Sequence, residues 1–350
     1  MHLLQSSQSL QLKPGLILVP LNDDEFYLGL IEGGLYIPRD PYLAIARGLT
    51  RKTSADALAS QLALPETIVT SFIDQLCDYG YVEIVENAPP SHSLDDEIRG
   101  ERSEVERSSL TWRRNTHDGG WGEIEARGNF PILIFGKSRI ARTLLAILQA
   151  SGFSRSRIVL PAISHHKTVE AKDICGVVTR KNDLGMSLNE HHRVITQGAQ
   201  LTPAQAGGDE FPSDPALLIA TTDFGDEHPD YLQRWMSEEL IHLQISQPNP
   251  YTLEIGPMVI PGKSACINCV TLHKRDQLPP FINLFTDRSH REVGTATSTF
   301  AAGVITSYIA EFAATGSTAL MTKSISINVL NPLTEIVERF WDFHPECGCR

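Results

Sequence analysis

The sequence predicts an α/β protein in two parts: a winged helix-turn-helix-like module, then a Rossmann-type doubly wound domain. Three observations carry that prediction. Within residues 1–86, short apolar runs separated by turn formers precede three helical patterns. Within residues 129–350, buried-strand runs alternate with amphipathic helical runs, as a parallel sheet requires. Between them, residues 87–128 are polar and charged, carry Pro-Pro and Gly-Gly pairs, and read as a linker.

In the first module the apolar runs are LILVP, EFYLGL and the run from Leu35, LYIP; NDD and EGG break them. They predict a three-stranded meander. A helical pattern follows in DPYLAIARGL. A second runs through SADALASQL, with Thr53 or Ser54 as N-cap. A third starts at Pro65, places Ile68, Phe72 and Leu76 on one face and stops at Gly80. YVEIV (81–85) closes the module as a strand. DNA binding fits this order of elements but not its charges. The third helix carries Glu66, Asp74 and Asp78 and no Lys or Arg, and the whole chain has a formal net charge of −12. In the linker, DDEIRGERSEVERSSL has the composition of a solvated helix, and His92 and His117 are given no function.

The second domain opens β-α-β: FPILIFG (130–136), KSRIARTLLAILQASG, then SRIVLP (156–161). ICGVVT (174–179), ALLIATT (216–222) and ELIHLQIS (239–246) read as further strands. A dinucleotide site needs G-x-G-x-x-G after the first strand. Here the turn is Gly136-Lys-Ser138-Arg-Ile-Ala141, and VLPAISHH ends the next strand without an acid to hold a ribose. No ATP is therefore expected on this chain.

Six cysteines, no basic-then-apolar N-terminal segment and no run of ~18 apolar residues predict a cytoplasmic protein with neither disulfide framework nor membrane span. Cys266 and Cys269 form a CxxC; Cys347 and Cys349 form a CxC at the chain end. Two close pairs of thiolates suit tetrahedral zinc in a closed, structural site. Metal, rather than packing, is then expected to anchor the tail. Cys77 and Cys175 read as ordinary buried residues.

IGPMVIPGKSACINC (255–269), TFAAGVITSYIAEFAATG (299–316), ISINVLNP (325–332) and the ending FHPECGC occur in an order that resembles ThiF-like enzymes, relatives of ubiquitin-activating enzymes. Joined to the N-terminal module, they look more narrowly like the ThiF-like partner proteins of azoline-forming cyclodehydratases. These are the leader-peptide-binding proteins of thiazole/oxazole-modified microcin biosynthesis. That resemblance implies a precursor leader added as a strand beside Leu35, Tyr36 and Ile37, against a wall from Thr70, Asp74 and Asp78. It also implies a YcaO-type subunit that performs the ATP-dependent cyclisation, and a homodimer. Nucleic acid and membrane are not expected partners. Two rivals are an ATP-dependent adenylating ThiF-like enzyme and a zinc-containing winged-helix regulator that binds DNA.

Overall fold

A computed structural model describes residues 8–85, 94–110, 112, 118–160, 166–199, 215–227, 230–249, 251–277, 292–331 and 335–349. Two compact units divide the chain, Met1–Glu125 and Ala126–Arg350. His92 and His117 lie outside the described residues.

The first unit begins with β1 (Leu10–Leu12), β2 (Ile17–Pro20), β3 (Glu25–Leu30) and β4 (Gly33–Pro38). The strands β2, β3 and β4 form the antiparallel meander, with Tyr27 opposite Tyr36 and Leu28 opposite Leu35. Period-two alternation sends Phe26, Leu28 and Ile37 into the core. At the β3–β4 turn the backbones nearly touch. A Cβ built on Gly29 would lie 2.3 Å from the Gly34 Cα, so neither position accepts a side chain.

The helices α1 (Tyr42–Gly48), α2 (Ala55–Leu62) and α3 (Glu66–Asp78) follow. Ser54 caps α2 by accepting from the Ala57 N–H at 3.3 Å. The buried stripe of α3 is Val69, Phe72, Ile73 and Leu76; Ile68, expected on it, is 36% exposed. The i, i+3, i+4, i+7 row, not a strict i+4 row, follows the 3.6-residue period. β5 (Val82–Ile84) pairs with β1, a strand the sequence reading left out. Inside the stretch read as a linker, α4 (Leu94–Leu110) and α5 (Trp121–Gly128) are helical. Arg107 stacks over the Trp121 ring at 4.4 Å and donates to the Gly119 carbonyl.

The second unit contains β6 (Ile132–Phe135), α6 (Arg139–Ala150), β7 (Ser156–Val159), α7 (Leu188–Ala199), β8 (Leu217–Ala220), α8 (Thr222–Glu227) and α9 (Tyr231–Ser237). Then come β9 (His242–Asn249), β10 (Thr252–Val259), α10 (Ile267–Gln277), α11 (Thr295–Thr315), β11 (Lys323–Asn328) and β12 (Ile336–Phe340). They build one seven-stranded sheet in the order β12-β11-β10-β9-β8-β6-β7. The β6, β7, β8 and β9 ladders are parallel; those of β9 to β12 are antiparallel. Ile132 and Ile134 pack with Leu144 and Leu148 of α6 and Ile305 of α11. The alternate residues Leu133 and Phe135 pack on the other face with Phe224, Tyr231 and Trp235. Apolar side chains on both faces of β6 are the pattern of a sheet covered on both sides. No helix among the described residues is long and apolar enough to cross a membrane.

ICGVVT is not a strand. A 3-10 turn at Ala171–Asp173 leads into a loop in which Cys175 N and Gly176 N both bond to the Thr179 carbonyl, with Gly176 at φ +74°. Glycine in the left-handed region outweighs the β-propensity of Val177 and Val178. Cys175 is thereby half-exposed rather than buried. Burial opposes ionisation of its thiol, but the N–H groups of Val178, Thr179 and Val177 outweigh that and hold it below its ordinary value.

Beneath this loop Arg142 is buried and pairs with Asp173 at 2.8 Å. Burial, then the Arg142 charge, then His191 push the pKa of His192 down to about 3. Its ordinary value is 6.5, so between pH 6.5 and about 3 the unfolded chain takes up a proton that the native imidazole refuses. Stability is complete above pH 6.5 and falls as pH falls through that window. Thermal melts from pH 7 to 5 are expected to show a falling Tm, with a shallower slope in His192→Gln; an unchanged slope would contradict a neutral buried imidazole.

Candidate metal centre and peptide edge

The chain leaves β10 through a turn closed by Ile260 N donating to Ser264 Oγ at 2.8 Å. That turn delivers Cys266 just ahead of α10 and Cys269 inside its first turn. The second pair arrives after β12. Cys347 N bonds to the His344 carbonyl at 3.0 Å, and Gly348 at φ +63° reverses the chain between Cys347 and Cys349. The four sulfurs lie within 4.8 Å of one another. Cys266 Sγ is 3.8 Å from Cys269 Sγ and 3.4 Å from Cys347 Sγ; Cys269 Sγ is 3.4 Å from Cys349 Sγ. A tetrahedron with Zn–S bonds of ~2.3 Å has edges of ~3.8 Å, so the donor set fits zinc. All four cysteines are free.

His344 orders the second pair. Its N–H donates to Cys269 Sγ at 3.3 Å, its Nδ1 accepts from Glu346 N, and its Nε2 lies 2.9 Å from Asp276 Oδ2. Burial raises the Cys266 thiol pKa and pushes that of Cys349 up to about 11. Burial also opposes ionisation of Cys269, but the His344 N–H and the Cys349 thiol outweigh it and lower the value. Metal capture must therefore expel protons, which makes it weaken as pH falls.

Packing anchors the tail, which corrects the expectation that metal rather than packing holds it. Trp341 is buried among Val259, Ala265, Cys266, Cys269 and Val270. Its indole N–H donates to Ser324 Oγ, Ser324 donates to Glu254 Oε1, and Lys274 Nζ donates to Glu254 Oε2 at 2.7 Å. The Lys274–Glu254 pair is almost fully enclosed, with side-chain exposures of 14% and 4%.

The turn after β6 is where a nucleotide fold receives phosphate. Lys137 N donates to Asp223 Oδ2 at 2.5 Å, and Arg139 N donates to Glu292 Oε2 at 2.9 Å. Thr221 Oγ1 holds the other Asp223 oxygen at 2.7 Å. Two of this turn's amides thus already bond to carboxylates of the chain itself. A Cβ on Gly136 would stand 1.9 Å from Thr221 Oγ1.

In the first unit, β4 is an edge of its sheet. Ile37 is buried and Leu35 half-buried against the core, whereas Tyr36 is 70% exposed and meets Tyr27 edge-on. On α3, the Thr70 hydroxyl donates back to the Glu66 carbonyl at 2.8 Å, and Asp74 and Asp78 are exposed. Ile68, Phe72, Gln75 and Tyr79 form another row at i, i+4, i+7 and i+11. Phe72 of that row meets Tyr42, just beyond β4, with ring centroids 4.8 Å apart. This row therefore joins Ile68, which the sequence places on one face with Phe72, to the exposed Tyr79 that caps the helix.

No protein family model matches the chain, and no curated protein matches it. Solved structures do match, at the level of fold. E. coli MccB with ATP superposes with a TM-score of 0.66 at 15% identity, over 97% of this chain and 99% of that one. The fold is that of MccB. The microcin C7 biosynthetic enzyme MccB with N-formylated MccA gives 0.64 at 14% identity over the same shares. A heterocyclase in complex with substrate and cofactor gives 0.57 at 15% identity, over 98% of this chain but 39% of that one.

Replacing Cys347 and Cys349 with Ser is expected to abolish zinc content and lower the Tm of the second unit by about 10 °C or more, since site-binding energy is folding energy. Elemental analysis with calorimetry tests this; full zinc and an unchanged melt would refute it. Glu254→Ala, which strands a buried ammonium, is expected to cost about 3–5 kcal/mol in denaturant titrations.

Proposed function

We propose that this protein recruits a ribosomally made precursor peptide to an azoline-forming cyclodehydratase. Its first unit binds the leader as a strand added to β4. Its second unit, a ThiF-like scaffold stapled by a structural zinc on Cys266, Cys269, Cys347 and Cys349, docks the YcaO-type subunit that cyclises Cys, Ser or Thr side chains. The observation that carries this reading is the heterocyclase match. Nearly all of this chain corresponds to less than half of that protein, so a separate partner would supply the rest. Rate is then gained by proximity, because a held leader raises the effective concentration of the core peptide at the partner's active site.

The amides bonded by Asp223 and Glu292 support a scaffold that does not use ATP, because a phosphate would have to displace carboxylates of its own sign. The second reading, adenylation by this chain itself, is favoured by MccB having been solved with ATP at nearly full mutual coverage. Purified protein is expected to give background ATP–pyrophosphate exchange with precursor peptide, and heterocycles only once the YcaO-type subunit is added. Robust exchange by the chain alone would replace the first reading with the second. Fluorescence anisotropy with a labelled leader is expected to show a Kd of micromolar order, weakened at least tenfold by Ile37→Pro, which removes a main-chain donor.

A further inference from the structure

The four sulfurs of the candidate metal centre differ in access. Cys266 and Cys269 are buried, at 4% and 0% exposure, whereas Cys347 and Cys349 on the returning tail are half-buried. A reagent in solution therefore meets the tail sulfurs first. Each of them touches one sulfur of the buried pair. Cys347 Sγ stands 3.4 Å from Cys266 Sγ, and Cys349 Sγ stands 3.4 Å from Cys269 Sγ. Within the CxxC the separation is 3.8 Å. An accessible sulfur with a second sulfur in contact behind it is the layout of a thiol that is oxidised and then resolved as a disulfide. The cluster holds that layout twice, and each time the two sulfurs come from opposite sides of the joint, one at the start of α10 and one on the tail.

The two tail sulfurs are not equivalent. The Asn268 side-chain amide donates to Cys347 Sγ at 3.2 Å. An N–H directed at a sulfur engages the lone pair that would attack an oxidant and lowers its nucleophilicity. Among the described residues no N–H donates to Cys349 Sγ. On the buried side, Cys269 Sγ accepts from the His344 N–H at 3.3 Å and so is held beside the tail.

We propose that the four-cysteine layer is a peroxide-responsive site. Cys349 is oxidised, Cys269 resolves it, and a second bond, Cys266–Cys347, completes a covalent staple that takes the place of metal. This goes beyond the recruiting role and does not depend on it. The Cys349 sulfur attacks one peroxide oxygen; the O–O bond breaks, and the other oxygen takes up a proton and leaves as water. The Cys269 sulfur then attacks the sulfenic sulfur; an S–S bond forms, the S–O bond breaks, and the second oxygen leaves as water. Each disulfide consumes one peroxide, which accepts two electrons from the two sulfurs. The two protons come from the thiols, or from solvent where the sulfurs were zinc thiolates. A disulfide sulfur no longer offers the thiolate that zinc requires, so zinc bound there is released. Because both bonds cross from α10 to the tail, Trp341 and β12 stay docked after the metal leaves. A dithiol reductant restores the thiols.

The test exposes the zinc-loaded full chain to excess hydrogen peroxide. Zinc release is read with a chromogenic chelator, early sulfenic acids by dimedone trapping, and disulfides by peptide mapping. Dimedone is expected on Cys349 at least about fivefold above Cys347, and Asn268→Ala is expected to bring that ratio below about two without changing zinc content. A Cys269–Cys349 bond is expected first, in step with zinc release, and Cys266–Cys347 after it. The oxidised chain is expected to melt above the reduced chain stripped of zinc by a chelator. Adducts chiefly on Cys347, or a ratio unmoved by Asn268→Ala, would overturn the order of attack. Dominant Cys266–Cys269 or Cys347–Cys349 bonds would overturn the pairing, and the staple with it. Four intact thiols at a peroxide dose that already oxidises the half-exposed Cys175 would overturn the site outright. A chain that takes up no zinc would overturn the exchange of metal for disulfide, while the recruiting role is judged by its own leader titration.

Discussion

The antiparallel half of the second unit is closed where the chain end returns to α10. Two sets of contacts do so in adjacent layers. Four sulfurs gather at one end of the helix. One turn along, Lys274 reaches Glu254 on β10, and Glu254 is bonded in turn to Ser324 and Trp341. The ionic layer has to be complete, because a buried carboxylate without its ammonium is far more costly than the pair. The thiol layer is different. Without a metal it is four neutral groups in mutual contact, and with one it becomes a covalently directed joint. Strand β12 has little else to hold it: all five of its residues are exposed, and β11 is its one partner in the sheet.

Toward the other end of the sheet, the turn after β6 is bonded by two carboxylates of the chain itself. Asp223 and Glu292 satisfy amide donors that would otherwise be orphaned at the start of α6. The same electrostatics that would recruit phosphate instead recruits side chains already tethered to the fold, at no cost in translational entropy. The turn is stabilised by this arrangement.

Much of this was legible in the sequence, and the failures have physical causes. Two-residue and 3.6-residue periodicities marked β3, β6, β8 and α6 because their partners are local or their runs are long. The cysteine spacing marked the four sulfurs, since few other uses exist for a CxC at a chain end. ICGVVT misled because five β-branched or apolar residues outvoted one glycine whose left-handed conformation sets the loop. β1 escaped because three residues carry no period, and its pairing with β5 spans the whole module. The Glu254 network was invisible because its members lie on separate elements. On α3, Ile68 was placed with the buried stripe because a strict i+4 row drifts off the 3.6-residue period.

The close approach of Gly29 and Gly34 has a consequence for how this surface can evolve. Both positions are locked to hydrogen, whereas Ile31, Glu32 and Gly33 at the turn between them stand open. Variation is channelled into exposed positions such as Ile31 and Glu32 at the turn and Asp74 and Asp78 on α3. Foldability and surface variation are thereby written on different letters of the same small module.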